Sequence, residues 1–413
     1  MATRVETHQI KRSHHLFDFC NDITYKSKNL YNAVLYRLIK KYEKGEKILI
    51  NHSTLYKNYK HLNEFKELGS AFANLTIKKL SKDYKSFFKN IKRYKEDKSL
   101  YEKTPQPPDH KVPGEKGRFQ AMAQVSMNND NEIKIPNQDI HIDFIQNTDK
   151  NIKQIQIEPS HNRYHRNIYF LFKIIYEKEV EEMEEEVKNI AGIDLNKGNL
   201  VVIATNIKEK PIAINGDPLC SMGDYYLKKR KKLMKNVKGR GTSNRIKKLD
   251  KKYTNKVKNY IHNVSRIVAD WCKDKNIDTI VIGKNKNWKK EINLGHRNNY
   301  HFTIIPFNML IQQIEYKAGE YGIKVELVEE SYTSKASFLD GDELPKYNER
   351  REEEKDYQFS GKRIERGLYK TSNGNRINAD VNGAYNIIKK LYPDKIDNDI
   401  KGELLHPQKS NIH

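Results

Sequence analysis

Apolar residues recur at helical spacing, with lysines between them, in two long stretches near the start of the chain. The spacing predicts one amphipathic helix from Asp18 to about Lys44 and a second from Ala71 to Tyr94. Four prolines between positions 105 and 113 then end the helical pattern. Residues 18–104 are therefore predicted to form a helical region.

Residues 119–176 follow a different pattern, in which short segments rich in isoleucine and aromatic residues are separated by turns rich in Asn, Asp and His. The strand-like segments are Ile133–Pro136, Ile140–Phe144, Ile152–Ile157 and Tyr169–Tyr176. They predict a small β-barrel over residues 105–176, to which residues 1–17 add the first strand. A nearly continuous acidic run follows, so residues 177–188 are predicted to be a linker at the main domain boundary.

The order of elements changes after the linker to three strands, a long helix interrupted near Gly239, and then alternating strands and helices. Strands are predicted at Asn189–Leu195, Leu200–Thr205, Pro211–Ile214, Asp278–Gly283 and Ile323–Glu330, and helices at Tyr225–Lys273, Phe307–Tyr321 and Asp380–Leu391. Three strands joined by tight turns and followed by alternating helices and strands is the plan of an RNase H-like α/β fold. Residues 189–413 are predicted to adopt it, with a charged insertion at 340–375.

The charge of the chain indicates a polyanionic partner. Its 413 residues include 77 Lys and Arg against 54 Asp and Glu, a net charge of +23. A ribosomal or merely well-solvated protein is the alternative, and the 25 tyrosines favour nucleic acid because aromatic rings stack on unpaired bases. No apolar stretch approaches the roughly 20 residues that span a bilayer, and the N-terminus lacks the apolar core of a signal peptide. We therefore expect a cytoplasmic, nucleoid-associated protein without a membrane partner.

Cysteine usage argues against a structural metal or a disulfide framework. Cys20, Cys220 and Cys272 lie far apart and never form a C-x-x-C pair. We expect all three to be buried thiols and predict no zinc site.

Two aspartates are candidates for metal-dependent phosphodiester chemistry. Such chemistry needs an activated water and neutralised charge on the attacking and leaving oxygens, which two divalent ions held by converging carboxylates provide. Asp194 lies in an otherwise apolar strand, where a charge is costly to bury without a partner, although a paired structural aspartate is the alternative. Asp380 begins the last long helix, where it could instead be an N-cap.

Three motifs resemble the TnpB, or OrfB, proteins of insertion sequences. They are G-I-D-L-N at 192–196, Y-T-S-K at 332–335 and N-A-D-V-N-G-A-Y-N-I at 378–387. Members of that family are RNA-guided DNA nucleases related to type V CRISPR effectors. The resemblance implies a RuvC-type nuclease domain at 189–413, preceded by an α-helical recognition region and a small β-barrel, the wedge domain. It also implies a two-metal Mg²⁺ site, a guide RNA, and double-stranded and single-stranded DNA as partners.

The first departure from the family concerns the second carboxylate. Relatives place an acid at the end of the fourth strand, where this chain has Gly283. The site residues implied are thus Asp194 and Asp380 together with a relocated glutamate. We prefer Glu330 at the end of the fifth strand, with Glu329 and Glu291 as alternatives. Alternation along the strand lets only one of Glu329 and Glu330 face the site. A nuclease without activity is the remaining alternative.

The second departure is the absence of the four-cysteine zinc ribbon that relatives often carry between the Y-T-S and N-A-D motifs. The insertion 340–375 stands there instead, and the resemblance suggests a lid or strand-loading loop. Basic residues in two places are predicted to contact phosphates, with ordinary solvated surfaces as the alternative. They are Lys228, Lys229, Arg230, Lys231, Lys232, Arg240 and Arg245 in the long helical stretch, and Lys362, Arg363 and Arg366 in the insertion.

The leading hypothesis is an RNA-guided, Mg²⁺-dependent DNA endonuclease encoded by a mobile element. A nuclease-dead, RNA-guided DNA-binding repressor on the same scaffold is the second hypothesis. A basic RNA-binding accessory protein that uses no guide is the third.

Overall fold

The computed structural model describes residues 2–111, 118–127, 133–135, 141–142, 151–160, 169–180, 186–237, 241–284, 305–345 and 357–410. The chain divides into two compact units, Met1–Glu179 and Val180–His413. The division falls within the segment for which the sequence predicts a linker. The strand Tyr169–Lys178 takes up the first two residues of that segment.

The helical part of the first unit contains two long helices and two short ones. After strand β1 (Ala2–Ile10), the helices are α1 (Phe17–Glu43), α2 (His52–Tyr59), α3 (Asn63–Leu68) and α4 (Ser70–Glu96). The long helices α1 and α4 begin and end within two residues of their predicted bounds. The short helices were not predicted, because six to eight residues are too few to show a helical period.

The strands of the first unit form two antiparallel sheets. They are β2 (Ala121–Gln124), β3 (Ser126–Met127), β4 (Ile133–Lys134), β5 (His141–Ile142), β6 (Asn151–Ser160) and β7 (Tyr169–Lys178). One sheet has the order β1-β7-β6-β2 and the other β3-β4-β5. Val125, the residue between β2 and β3, donates its N–H to the carbonyl of Lys153 in β6 at 3.4 Å. Among the described strands no ladder closes these sheets into one barrel, whereas a small barrel was expected.

The second unit is built on a six-stranded mixed sheet. Its strands are β8 (Ile190–Asp194), β9 (Asn199–Thr205), β10 (Ile212–Asn215), β11 (Thr279–Gly283), β12 (Lys324–Val328) and β16 (Gln408–Ser410), in the order β12-β11-β8-β9-β10-β16. Strands β8, β9 and β10 are antiparallel neighbours, whereas β11 runs parallel to both β8 and β12. This is the arrangement expected of an RNase H-like domain, with β16 added in parallel beside β10.

Helices cover both faces of this sheet. They are α5 (Asp217–Met234), α6 (Asn244–Asp274), α7 (Phe307–Ala318) and α8 (Ala379–Leu391). Helices α6 and α7 pack on one face through Ile261 and Leu310, and α8 packs on the other through Ile388. Helix α5 begins eight residues before its predicted start, with Pro218 in its first turn.

The insertion folds into a small antiparallel sheet. Its strands are β13 (Lys362–Glu365), β14 (Leu368–Lys370) and β15 (Arg376–Asn378), in that order. The Asp342 carboxylate accepts hydrogen bonds from the N–H of Ser337 at 2.7 Å and the hydroxyl of Ser360 at 2.5 Å. These bonds fasten the start of the insertion to its later part. Across the described residues, no helix has the length and apolar character of a membrane span, and all three cysteines are free and buried, as expected.

Candidate active site

Asp194 is the last residue of the central strand β8, at the end of the sheet where the parallel strands have their carboxyl ends. Its backbone pairs with Val202 of β9, and helix α8 passes so close that a Cβ added at Gly383 would lie 3.0 Å from its Oδ2. Burial raises the pKa of the Asp194 carboxyl well above its usual value, and the charges of Asp380 and Glu330 raise it further. Asp380 and Glu330 are therefore close enough for their negative charges to act on the Asp194 carboxyl.

Asp380 lies in the first turn of α8 and does not cap that helix. The cap is Asn378, whose side-chain oxygen accepts from the N–H groups of Asp380 at 3.0 Å and Val381 at 3.2 Å. The Asp380 carboxylate is instead turned toward the first two strands of the sheet, where it accepts from the side-chain amides of Asn199 at 2.8 Å and Asn196 at 3.1 Å. The N-cap interpretation of Asp380 is thus wrong, because the neighbouring asparagine does that work.

Asn196 connects the two aspartates. Its Nδ2 donates to Asp194 Oδ2 at 2.7 Å as well as to Asp380 Oδ1 at 3.1 Å. One amide therefore bridges two carboxylates that would otherwise repel each other. The bridging asparagines were not among the predicted site residues, although Asn196 is the last letter of the G-I-D-L-N motif.

Glu330 reaches the same region from the loop after β12, across the end of β11. A Cβ added at Gly283, the last residue of β11, would lie 3.0 Å from Glu330 Oε2 and 3.2 Å from Glu330 Cβ. The same atom would lie 2.7 Å from Ile387 of α8. The Glu330 side chain thus occupies the space that any larger residue at position 283 would need. The glycine and the glutamate form a matched pair.

The other two candidate glutamates differ in their surroundings. Glu329 is engaged elsewhere, since its carboxylate accepts from Lys390 Nζ at 2.8 Å and from the Ser331 N–H at 2.8 Å. Strand β12 ends at Val328, so the turn that follows it, and not strand alternation, sets the directions of both glutamates. Glu291 lies in 285–304, outside the described residues.

Asparagines of α8 hold the Y-T-S-K loop in place. Asn386 Nδ2 donates to the carbonyls of Thr333 at 2.9 Å and Ala336 at 2.8 Å, and Asn382 Nδ2 donates to Ala336 at 2.8 Å. Thr333 in turn donates from its hydroxyl to the Glu330 carbonyl at 2.8 Å. The N-G-A-Y-N and Y-T-S-K motifs therefore act together to fix the backbone that carries Glu330.

The insertion brings one guanidinium to the acidic cluster. Arg363 Nη2 lies 3.9 Å from Asp380 Oδ1, and the Arg363 side chain also donates to the carbonyls of Glu365 and Arg366. Lys362, the first residue of β13, is exposed, and so is Arg366 in the turn after that strand. The structure therefore places one of the three predicted basic residues of the insertion beside the carboxylates.

The predicted basic residues of the long helical stretch lie mostly on exposed surface. On α5, Lys228, Lys229, Lys231 and Lys232 are exposed, as is Arg245 on α6. Arg230 is half-buried and lies 3.7 Å from the Asp250 carboxylate. Arg240 falls in 238–240, outside the described residues.

The chemistry of the acidic cluster fits Mg²⁺, which prefers carboxylate oxygens to nitrogen or sulfur. Burying Asp194 next to two further carboxylates is unfavourable unless a proton or a cation compensates the charge. Within the described part of the chain, no three acidic, histidine or cysteine side chains are spaced as ligands of a single ion. The three carboxylates are therefore not arranged around one ion, and the Asn196 amide lies between the two aspartates.

Two segments of the chain match known protein families. Residues 173–289 match the family model OrfB_IS605, described as a probable transposase, and residues 307–387 match the Cas12f1-like TNB domain. No curated protein sequence matches the chain. Among solved structures, a Cas12f1–sgRNA–target DNA complex aligns with a TM-score of 0.55 and 17% identity over 90% of this chain and 82% of that one. The mini-RNA-guided endonuclease Cas_phi3 aligns with a TM-score of 0.47 and 11% identity, over 94% of this chain and 92% of that one.

The sheet order and the alignment with the Cas12f1 structure show a RuvC-like fold. Residues 173–289 are thus similar to the OrfB_IS605 family and residues 307–387 to the Cas12f1-like TNB domain, and these two segments contain the three motifs. The resemblance inferred from the three motifs is thereby confirmed.

Proposed function

We propose that the chain is an RNA-guided, metal-dependent DNA endonuclease of the TnpB type, encoded by a mobile element. The observation that carries the proposal is the convergence of Asp194, Asp380 and Glu330 at one end of the sheet, with Glu330 lying over Gly283. A decayed nuclease would have no need for a glycine that fits the side chain of a relocated acid.

Each residue near the cluster has a distinct part in the proposed mechanism. Asp194, Asp380 and Glu330 would hold two Mg²⁺ ions, which when bound supply charge neutralisation and an activated water for phosphodiester hydrolysis. Asn196 and Asn199 hold the Asp380 carboxylate in place, as positioning residues. Arg363 adds positive charge where an anionic phosphate approaches.

Guide RNA and target DNA are the proposed partners. The net charge of +23 and the exposed lysines of α5 suit long polyanions. In the structurally similar Cas12f1 complex the protein is bound to an sgRNA and a target DNA. We infer that residues 18–104 and the β-sheets of the first unit serve as the recognition and wedge regions, and that base pairing with the guide selects the DNA sequence.

The test is to purify the protein, sequence the RNA that copurifies, and offer matched duplex DNA with and without Mg²⁺. We expect cutting that requires both the RNA and Mg²⁺. Asp194→Ala should abolish cutting while it leaves guide and target affinity within a few-fold of the parent. Tight guided binding without cutting by the parent protein would identify a repressor instead. Sequence-selective DNA binding by RNA-free protein would contradict guide dependence.

A further inference from the structure

A groove separate from the acidic cluster lies between helices α5 and α6 and has a volume of about 370 Å³. Three tyrosines and three lysines line it: Tyr225, Tyr226 and Lys229 from α5, and Lys252, Tyr253 and Lys256 from α6. Its size falls in the range of small-ligand sites, but its lining is more basic and aromatic than is usual for them.

Two of the tyrosines form the rigid part of the groove. The Tyr226 and Tyr253 rings stack with centroids 4.3 Å apart and planes 11° from parallel. The Tyr226 hydroxyl donates to the Asp250 carboxylate at 2.9 Å, and Arg230 lies 3.7 Å from that same carboxylate. The Asp250 carboxylate is thus already engaged, and its hydrogen bond holds the stacked pair in position.

Tyr225 is the exposed ring of the groove, since 60% of its surface is open to solvent. Lys229 Nζ donates to its hydroxyl at 2.7 Å and lies 5.1 Å from the ring centroid. The pKa of the Tyr225 phenol is lowered by this hydrogen bond and by the Lys229 charge, and Lys252 and Lys256 act in the same direction. An aromatic face thus stays exposed among three cations, although burying it would have stabilised the fold.

Two of the groove lysines, Lys252 and Lys256, lie on α6. Neither Lys252 nor Lys256 forms an ion pair with any carboxylate that the structure describes. Exposed cations beside an open aromatic ring suit a ligand with both a phosphate and a flat ring. Nucleotides of single-stranded nucleic acid meet that description, whereas the bases of a duplex already stack on one another.

We propose that this groove holds one unpaired nucleotide of a bound strand, with its base against Tyr225 and its phosphate among Lys229, Lys252 and Lys256. The inference rests on the proposed nucleic-acid function but not on cleavage. An unpaired nucleotide could belong to RNA or to DNA, and the chemistry of the groove is shared by both.

The experiment measures the binding of short single-stranded RNA and DNA carrying 2-aminopurine to the RNA-free, full-length protein over a series of salt concentrations. Tyr225→Ala should weaken binding roughly tenfold and remove the quenching of the 2-aminopurine, because one stacking contact is lost. Tyr225→Phe keeps the ring and should bind like the parent. Tyr316→Ala removes another exposed tyrosine of the second unit, which lies on α7 outside the groove and is 39% open to solvent, and should have no effect.

A paired charge experiment tests the phosphate contact. Lys252→Gln with Lys256→Gln should reduce the slope of log affinity against log salt by about 0.7, the contribution of one single-strand phosphate contact. Lys395→Gln with Lys409→Gln makes the same charge change on exposed residues of the second unit outside the groove, and should reduce the slope by less. Equal effects of the two double variants, or unchanged quenching in Tyr225→Ala, would overturn the proposal.

The same preparations separate this proposal from the nuclease function. Loss of strand binding only in the groove variants supports the groove whether or not the parent cuts DNA. Guided cutting together with undiminished strand binding by Tyr225→Ala would refute the groove and leave the endonuclease standing. A preference for RNA over DNA in the parent, lost in Tyr225→Ala, would assign the nucleotide to the guide, and the opposite preference would assign it to the target.

Discussion

Gly283 and Glu330 can be exchanged, and the exchange tests whether the second carboxylate has been relocated. The family resemblance implies an acid where this chain has Gly283, and the Glu330 side chain occupies the space above that glycine. Gly283→Ala would place a Cβ 2.7 Å from Ile387 Cδ1, closer than real Cβ atoms approach other atoms, and 3.0 Å from Glu330 Oε2. The end of the Ile387 side chain must then shift, and Glu330 must give by a few tenths of an ångström.

The magnitude follows from packing and positioning. Overpacking of this kind costs about 1–3 kcal/mol in stability. A catalytic group displaced by about 1 Å loses roughly 100-fold in rate. Since Glu330 needs to give by only a few tenths of an ångström, we expect Gly283→Ala to lower the cleavage rate by about 3–10-fold. Glu330→Gly should cost at least as much, because it removes a carboxylate.

The decisive variant combines Gly283→Glu with Glu330→Gly. It removes the contacts with the Glu330 side chain, leaves the one with Ile387, and restores an acid near the same place, so it should recover part of the rate that Glu330→Gly loses. The assay is single-turnover, Mg²⁺-dependent cleavage of guide-matched DNA, with target affinity and thermal unfolding measured alongside. Gly319→Ala is the control, because a Cβ there would meet nothing within 4 Å. Glu329→Ala should be mild, since its carboxylate is bound to Lys390. Full activity in both Gly283→Ala and Glu330→Gly would refute the relocated site.

Three further expectations concern metals, the insertion and pH. EDTA should stop cleavage without unfolding the protein, because no structural zinc is predicted, and stoichiometric zinc by elemental analysis would contradict this. Asp342→Ala should destabilise the insertion by about 1–3 kcal/mol and speed proteolysis within 340–375, since its bonds to Ser337 and Ser360 are lost. Burial lowers the pKa of Lys317 from 10.5 to about 8. The unfolded chain therefore holds more protons between those pH values, and the parent should gain stability over Lys317→Met as the pH rises through them. A flat difference in denaturant unfolding across this window would contradict the pKa.

Local sequence patterns were enough to predict the positions of Asp194 and Asp380, the long helices, and the succession of strands and helices along the chain. An aspartate in an apolar strand stands out without any tertiary information, and the period of α1 or α4 is repeated over many turns. These features depend on residues that are close together in the chain. For that reason the RNase H-like plan and the family resemblance could both be predicted before any coordinates.

Other features depended on contacts between distant residues. Strand alternation could not choose reliably between Glu329 and Glu330, because β12 ends before them and their directions follow from the turn, from Lys390 and from the open space at Gly283. Likewise, only the folded chain brings Asn196 between two aspartates that lie 186 residues apart in the sequence. Strand β16 is a three-residue polar segment whose place beside β10 comes from backbone pairing and not from any side-chain pattern. Such choices are made by packing and hydrogen bonding across the sheet, which the local period of a sequence does not encode.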